Sequence, residues 1–285
     1  MKHRLAIDVG SSGVKVYTGG LTDGHLQFEQ IARMDNATGW QDGRHVWDIE
    51  TLTDRLREEI GRAATQYDAV GSVGIDATAL DFGLLADGEL LRNPYFYRDP
   101  SLWSATADVT DQCSARDSFH LTGYNGPPGP LYYQLREAPD AFEEADTLVP
   151  LPGLLSHQLG GDAATETSYA MTLRLLDIRS RDWADHLIDA IGFPGALLQR
   201  PVAPGATVGS VTGVAGDPEI VLPASHDTAS AVGALPLTSA NNAFLCTGSW
   251  FIPGLELPDP IVTDEVFDAG GSNEDGVEGT VRFLH

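Results

Sequence analysis

The chain has 285 residues, of which 42% are hydrophobic and 8% aromatic. That is enough for a sizeable core in one large or two ordinary domains, and unlike a disordered chain. Its 41 acidic and 17 basic residues leave a formal net charge of −24, a surface that repels nucleic acid and anionic lipid at low salt. No run approaches 18 consecutive apolar residues, and Cys113 and Cys246 lie far apart, which argues against a membrane-spanning helix, a disulfide framework and a cysteine-based zinc site. The acid is spread along the chain, and Lys2 and Lys15 are the only lysines. A lysine-poor, acid-rich surface is a halophile device, so a high-salt interior is expected. The N-terminus runs directly into an apolar segment broken by Asp8, unlike a signal peptide, and a cytoplasmic location is expected.

Three strands are predicted first, at 5–9, 14–18 and 26–28, separated by the small-residue turn Gly10-Ser11-Ser12-Gly13 and by Thr22-Asp23-Gly24. Ile49, Leu52, Leu56, Ile60 and Ala63 recur at helical spacing, so a helix is predicted over 49–64 with Asp48 as its N-cap. A buried strand follows at 70–75. A hairpin is then expected where Leu84-Leu85 and Leu90-Leu91 bracket Ala86-Asp87-Gly88-Glu89. This β-β-β-α-β-β opening implies antiparallel pairing, not a doubly wound Rossmann unit. Residues 123–130 are crowded with Gly and Pro and read as a loop. Helical patterns return at 131–137, 151–159 and 183–191. Residues 199–221 read as largely irregular, 224–235 as helical from about Thr228, and 243–247 and 249–255 as strands. The strand–small turn–strand pattern at 5–16 and at 243–255 hints at internal repetition.

Four segments carry candidate chemistry. In Asp8-Val9-Gly10-Ser11-Ser12-Gly13-Val14-Lys15 a carboxylate ends an apolar strand, a glycine–serine turn follows, and a lysine lies on the next strand. Glycines let backbone N–H groups approach an anion, Lys15 suits a phosphate oxygen, and Asp8 suits a metal held through water; a polar-tipped hairpin is the plain alternative. Asp76-Ala77-Thr78-Ala79 again ends a strand in a carboxylate and a hydroxyl, good partners for sugar hydroxyls. Tyr97-Arg98-Asp99 offers a charged wall, the alternative being a polar loop with a surface salt bridge. Ser225-His226-Asp227-Thr228 puts two titratable groups before a helix rich in small residues, where an Asp is ordinarily a cap. A Ser-His-Asp hydrolase is rejected, because triads are assembled in space and sequence neighbours do not face one another productively. Cys246-Thr247-Gly248-Ser249-Trp250 is a second hydroxyl-and-glycine turn, or simply a β-turn. There is no G-x-x-x-x-G-K-[ST] loop and no G-x-G-x-x-G after a strand.

In this order, the four segments resemble the FGGY carbohydrate kinases, and within them the rhamnulokinase branch, which phosphorylates a ketose at its 1-hydroxyl. The resemblance continues through Asn93-Pro94-Tyr95-Phe96-Tyr97-Arg98-Asp99-Pro100, Asn273-Glu274-Asp275-Gly276 and Gly279-Thr280-Val281-Arg282-Phe283-Leu284, and so spans nearly the whole chain. It implies an α/β chain with the ribonuclease-H-like fold of the actin-like ATPases, a mixed sheet flanked by helices. The sugar-binding domain would cover 1–238, and a second, nucleotide-binding domain would begin at 239–285 and be incomplete here. ATP and Mg²⁺ are the implied cofactors and a sugar the implied substrate, with no nucleic-acid or membrane partner; a homodimer is a possible state. Asp227 would be the general base and Asp8 would position magnesium. Gly10, Ser11, Ser12, Gly13 and Lys15 would hold phosphates from one side, and Thr247, Gly248 and Ser249 from the other. Asp76, Thr78, Ala79, Arg98, His226 and Thr228 would line the sugar pocket. The chain departs from the family where relatives carry Trp-Gly around its Ala77-Thr78-Ala79, in the length of its phosphate turn, in having Lys15 for an arginine, and at Pro130. The competing expectations are a catalytically silent, truncated homologue that binds a sugar or a partner, and an actin-like scaffold ATPase.

Overall fold

The computed structural model describes residues 3–67, 69–237, 242–247, 251–277 and 279–285. A six-stranded sheet forms the frame, in the order Thr207–Ser210, Glu219–Val221, Val70–Ala77, His3–Gly10, Gly13–Thr22, His25–Met34. The first three strands in sequence pair antiparallel, as their short turns require, whereas Val70–Ala77 runs parallel to His3–Gly10. A parallel neighbour needs a long crossover, and the helix Ile49–Gln66 lies within that crossover.

Residue alternation assigns the two faces. In His3–Gly10, Leu5, Ile7 and Val9 are buried, while Ala6 and Asp8 face the other way. Val73 and Ile75 continue the buried face. The helix Ile49–Gln66 packs there through Ile49, Leu52, Leu56, Ile60 and Ala63, joined by Leu151, Leu154 and Leu155 of the helix Leu151–Gln158. Each large aliphatic buried in this way contributes about 1.5–3 kcal/mol. Asp48 caps the first helix as expected, accepting the Thr51 N–H at 3.0 Å. With one face taken by the core, the polar face of the sheet remains for a cleft.

A second, all-antiparallel sheet runs in the order Ala243–Thr247, Phe251–Leu257, Val281–Leu284, Ser272–Asp275. It docks on the rest of the chain. Phe244 and Leu284 pack on Val232 of the helix Asp227–Gly233, and Val281 packs among Ala170, Met171, Leu176 and Ile178. Arg181 ties it further by an ion pair to Asp275 and by donating to the Gly279 carbonyl. Leu245 and Phe251 remain exposed. The expected boundary near residue 239 falls outside the described residues.

Several boundaries differ from the sequence reading. The third strand extends over His25–Met34 rather than 26–28; its residues are largely exposed, so its hydrophobic signal is weak. Trp183 belongs to a two-residue strand paired with Leu176, and the helix starts at Asp185. The stretch expected to be irregular contributes Thr207–Ser210 and Glu219–Val221 to the main sheet. Its glycines concealed this: Gly209, at φ +136°, sits where a Cβ would meet the Gly161 Cα at 3.0 Å. The hairpin Thr38–Gln41/Arg44–Trp47 around Asp42-Gly43 and the strand Thr147–Pro150 were not foreseen.

Candidate active site

Strand register performs the first assembly. Asp8 lies opposite Lys15 across the antiparallel pair and opposite Asp76 across the parallel pair. Three adjacent strands therefore present Lys15, Asp8 and Asp76 side by side on the polar face. Lys15 Nζ donates to Asp8 Oδ2 at 2.6 Å, and this bond raises the lysine pKa. Asp76 is pushed up to about 8, mainly by burial; the Ser230 hydroxyl opposes the shift, and the charges of Asp8 and Asp227 add to it. The turn after Asp8 is shaped for glycine. At Gly13 (φ +154°) a Cβ would come within 2.9 Å of the Met34 carbonyl oxygen, and at Gly10 within 3.3 Å of Asp8 Oδ1.

The ends of the parallel strands bring in the other segments. Ala77 N–H donates to the Ser225 carbonyl at 2.9 Å and Thr78 N–H to the Val9 carbonyl at 3.2 Å. Thr78 and Ala79 are thus fixed beside the Asp8 turn. The Tyr169 hydroxyl donates to the Thr78 carbonyl at 2.6 Å, and Leu80, held at φ +79°, donates its N–H to Thr172 Oγ1 at 3.1 Å. Buried Glu166 accepts the Ser225 N–H at 2.8 Å and the Ser168 hydroxyl at 2.6 Å, anchoring the segment before Asp227. Burial raises the Glu166 pKa against these hydrogen bonds.

Asp227 is the first residue of the helix Asp227–Gly233 rather than its cap. Its Oδ1 accepts the Thr228 N–H at 2.6 Å, lies 3.2 Å from the Thr228 hydroxyl, and lies 3.4 Å from His226 Nε2. Its Oδ2 has no hydrogen bond among the described residues. The side chain is 39% exposed. Behind it, His226 Nδ1 lies 3.3 Å from Glu274 Oε2, which is 3.1 Å from Arg282 Nη2. Burial pulls the His226 pKa down, but Glu274 and Asp227 together outweigh it and the net shift is upward. Burial pushes Glu274 up, but His226 and Arg282 hold it below its ordinary value.

The strand-end and turn residues border one cleft of about 1080 Å³, beyond the ~300–1,000 Å³ of an ordinary small-molecule pocket, whereas Glu166, Tyr169 and Arg282 are not part of its lining. The Asp8 turn, Asp76, Thr78, Ala79, His226, Asp227, Thr228 and Thr247 line it. Gly248 and Ser249 lie outside the described residues. Arg98 does not reach the cleft: it is exposed, with Nε 3.0 Å from the neighbouring Tyr97 hydroxyl and its guanidinium over that ring. The cation at that end is Arg174, missed in the sequence. It stacks 4.6 Å from the Tyr124 ring centroid and 5.7 Å from that of Trp103, and donates Nη1–H to the Pro127 carbonyl at 2.9 Å. Nothing around Arg174 forms a motif; its backbone at φ +61° is a tertiary feature. Glu166 and Tyr169 were also passed over, and Glu274 was noted only within a resembling segment, not as a site residue.

Among the described residues no group of three or more His, Cys, Asp or Glu side chains is arranged to hold a metal. One strand-end carboxylate beside a glycine turn and a lysine still suits an ion shared with phosphates, since magnesium usually takes one or two carboxylates plus phosphate oxygens. No helix among the described residues is long and apolar enough to cross a membrane.

No family model matches the chain. A rhamnulokinase of Bacteroides thetaiotaomicron is 33% identical over 292 residues, covering 98% of this chain and 60% of that protein. A ligand-bound xylulose kinase from Lactobacillus acidophilus superposes with a TM-score of 0.84 at 17% identity, over 100% of this chain and 59% of that one. A Plasmodium falciparum glycerol kinase solved with ADP gives 0.79 at 14%, over 100% and 60%. The chain thus spans about three fifths of the length of the relatives it matches. These structures establish the fold, that of the actin-like ATPases. Along nearly its whole length the chain is similar in sequence to rhamnulokinases, and its fold is that of the sugar kinases.

Proposed function

We propose that this chain carries the sugar site and catalytic base of an ATP-dependent ketose kinase, with a rhamnulose-like ketose as substrate. The observation that carries the reading is Asp227. One carboxylate oxygen is tied down and the other has no hydrogen bond among the described residues, in a cleft it shares with the Asp8–Lys15 turn. In this reading Asp227 Oδ2 accepts the proton of the attacking sugar hydroxyl. Lys15 and the N–H groups of the Gly10–Gly13 turn neutralise and orient phosphate oxygens, with Thr247 and, by resemblance, Gly248 and Ser249 on the opposite side. Asp8 would hold Mg²⁺, whose contribution when bound with ATP is to offset negative charge on the transferring phosphoryl group. Asp76, mainly protonated near neutral pH, donates to or accepts from a sugar hydroxyl beside Thr78, the Ala79 backbone, His226 and Thr228. Arg174, Trp103 and Tyr124 close the far end.

Support comes from rhamnulokinase similarity over 98% of the chain and from the cleft in which the Asp8–Lys15 turn and Asp227 meet. Titration calorimetry with a panel of ketoses and aldoses, with and without Mg-ATP, tests the reading. Ketose binding that tightens with Mg-ATP is expected. A chain that binds no sugar under any condition overturns it.

A further inference from the structure

Behind the base, the protein places charge where an apolar core residue would fit. Glu274 and Arg282 are register partners on Ser272–Asp275 and Val281–Leu284, 3% and 1% exposed, and His226 is 7% exposed. Buried charges are costly unless paired. Here the pairing runs Asp227–His226–Glu274–Arg282 through contacts of 3.4, 3.3 and 3.1 Å. The imidazole therefore meets a carboxylate at each nitrogen, so that either neutral tautomer would turn a lone pair toward a carboxylate. Asp76 on Val70–Ala77 also acts on it, while Arg282 is the opposing positive charge.

We propose that Glu274 is a positioning residue for Asp227: by facing Nδ1 with a carboxylate it fixes His226 as an imidazolium whose Nε2–H addresses Asp227 Oδ1, leaving Oδ2 for the incoming hydroxyl. The proposal rests on the reading of Asp227 as the base. It makes the base geometry depend on the second sheet, since the residue that steadies His226 lies on that sheet and not on the strands that carry Asp8 and Asp76. The Glu274–His226 contact has ion-pair distance without the alignment of a full hydrogen bond. Its effect is thus on charge and ring orientation more than on a single directional bond.

The test is ¹⁵N NMR of the histidine-labelled 285-residue chain between pH 5.5 and 8.5, with His226 assigned by loss of its signals in His226→Gln. Both ring nitrogens of His226 are expected to stay protonated through pH 7.5. In Glu274→Gln the midpoint is expected to fall by at least one pH unit, a tenfold change in proton affinity. The same variant is expected to lose at least tenfold in kcat while ketose affinity changes less than threefold, and Glu274→Asp is expected to recover part of the loss. A neutral His226 at pH 7 in the unaltered chain overturns the proposal, as does an unchanged midpoint or unchanged kcat in a folded Glu274→Gln protein. If Glu274→Gln does not fold, the titration of the unaltered chain decides alone. If the chain binds no ketose, the kinase reading falls, while the histidine titration still reads the Glu274 contact separately.

Discussion

Replacing Asp76 by asparagine isolates one consequence of the crowded polar face. Burial, with the charges of Asp8 and Asp227 adding to it, pushes the Asp76 carboxyl from 3.8 up to about 8. Between those values the folded chain holds a proton that the unfolded chain has released. Stability must then fall as pH rises, by up to about 1.4 kcal/mol per pH unit. The contribution is complete below the unfolded value and lost by the time pH passes the folded one. From pH 5 to 8 the ceiling is roughly 4 kcal/mol. Relaxation and water penetration around a buried carboxyl lower that ceiling, so about 2 kcal/mol is the working figure. Asparagine keeps the shape and an acceptor for Ser230 but does not titrate. Urea denaturation of both proteins at pH 5, 6.5 and 8 in 1 M salt gives the comparison. Self-repulsion from the rest of the chain is common to both proteins and cancels in the difference. The two are expected to be closest at pH 5, with the variant gaining about 2 kcal/mol over the parent by pH 8, or roughly 4–8 °C in Tm. Parallel pH profiles would refute the account of Asp76 as a buried, proton-holding carboxyl.

A net charge of −24 predicts salt-dependent stability. The Debye length falls from about 10 Å at 0.1 M to about 3 Å at 1 M, so Tm measured by scanning calorimetry should rise substantially between them, and a flat or falling dependence removes the halophile reading. Gly13→Ala drives a Cβ to within 2.9 Å of the Met34 carbonyl oxygen; a loss of about 1–3 kcal/mol in urea denaturation is expected, with weaker ATP binding, and an unchanged midpoint would contradict the tight fit of the turn.

What the sequence disclosed, and what it hid, follows the range of the interactions. The helix Ile49–Gln66 was readable because its buried face repeats at three and four residues and Asp48 caps it locally. The Asp8 and Asp227 segments were readable because each is a short run with its own chemistry. Thr207–Ser210 and Glu219–Val221 were hidden, since the pairing of Glu219–Val221 with Val70–Ala77, and of Thr207–Ser210 with Glu219–Val221, overrides glycine-rich local preference. Arg98 looked like the sugar-side cation because it stands in a charged run. Whether a side chain turns into the cleft or onto its neighbour's ring depends on packing, and there the structure places Arg174. Glu274 lay in a noted motif, but its contact with His226 spans 48 residues of chain, a distance that no spacing rule reaches.

The central claim is that Asp227 is the base for phosphoryl transfer to a ketose. A coupled assay of transfer from Mg-ATP, run on the unaltered chain and on Asp227→Asn with ketose binding measured in parallel, tests it most directly. The account predicts measurable transfer by the unaltered chain and a fall of about 10²–10⁴ in the variant, with ketose affinity largely kept because the amide preserves shape and one acceptor. Equal turnover in the two proteins would contradict it.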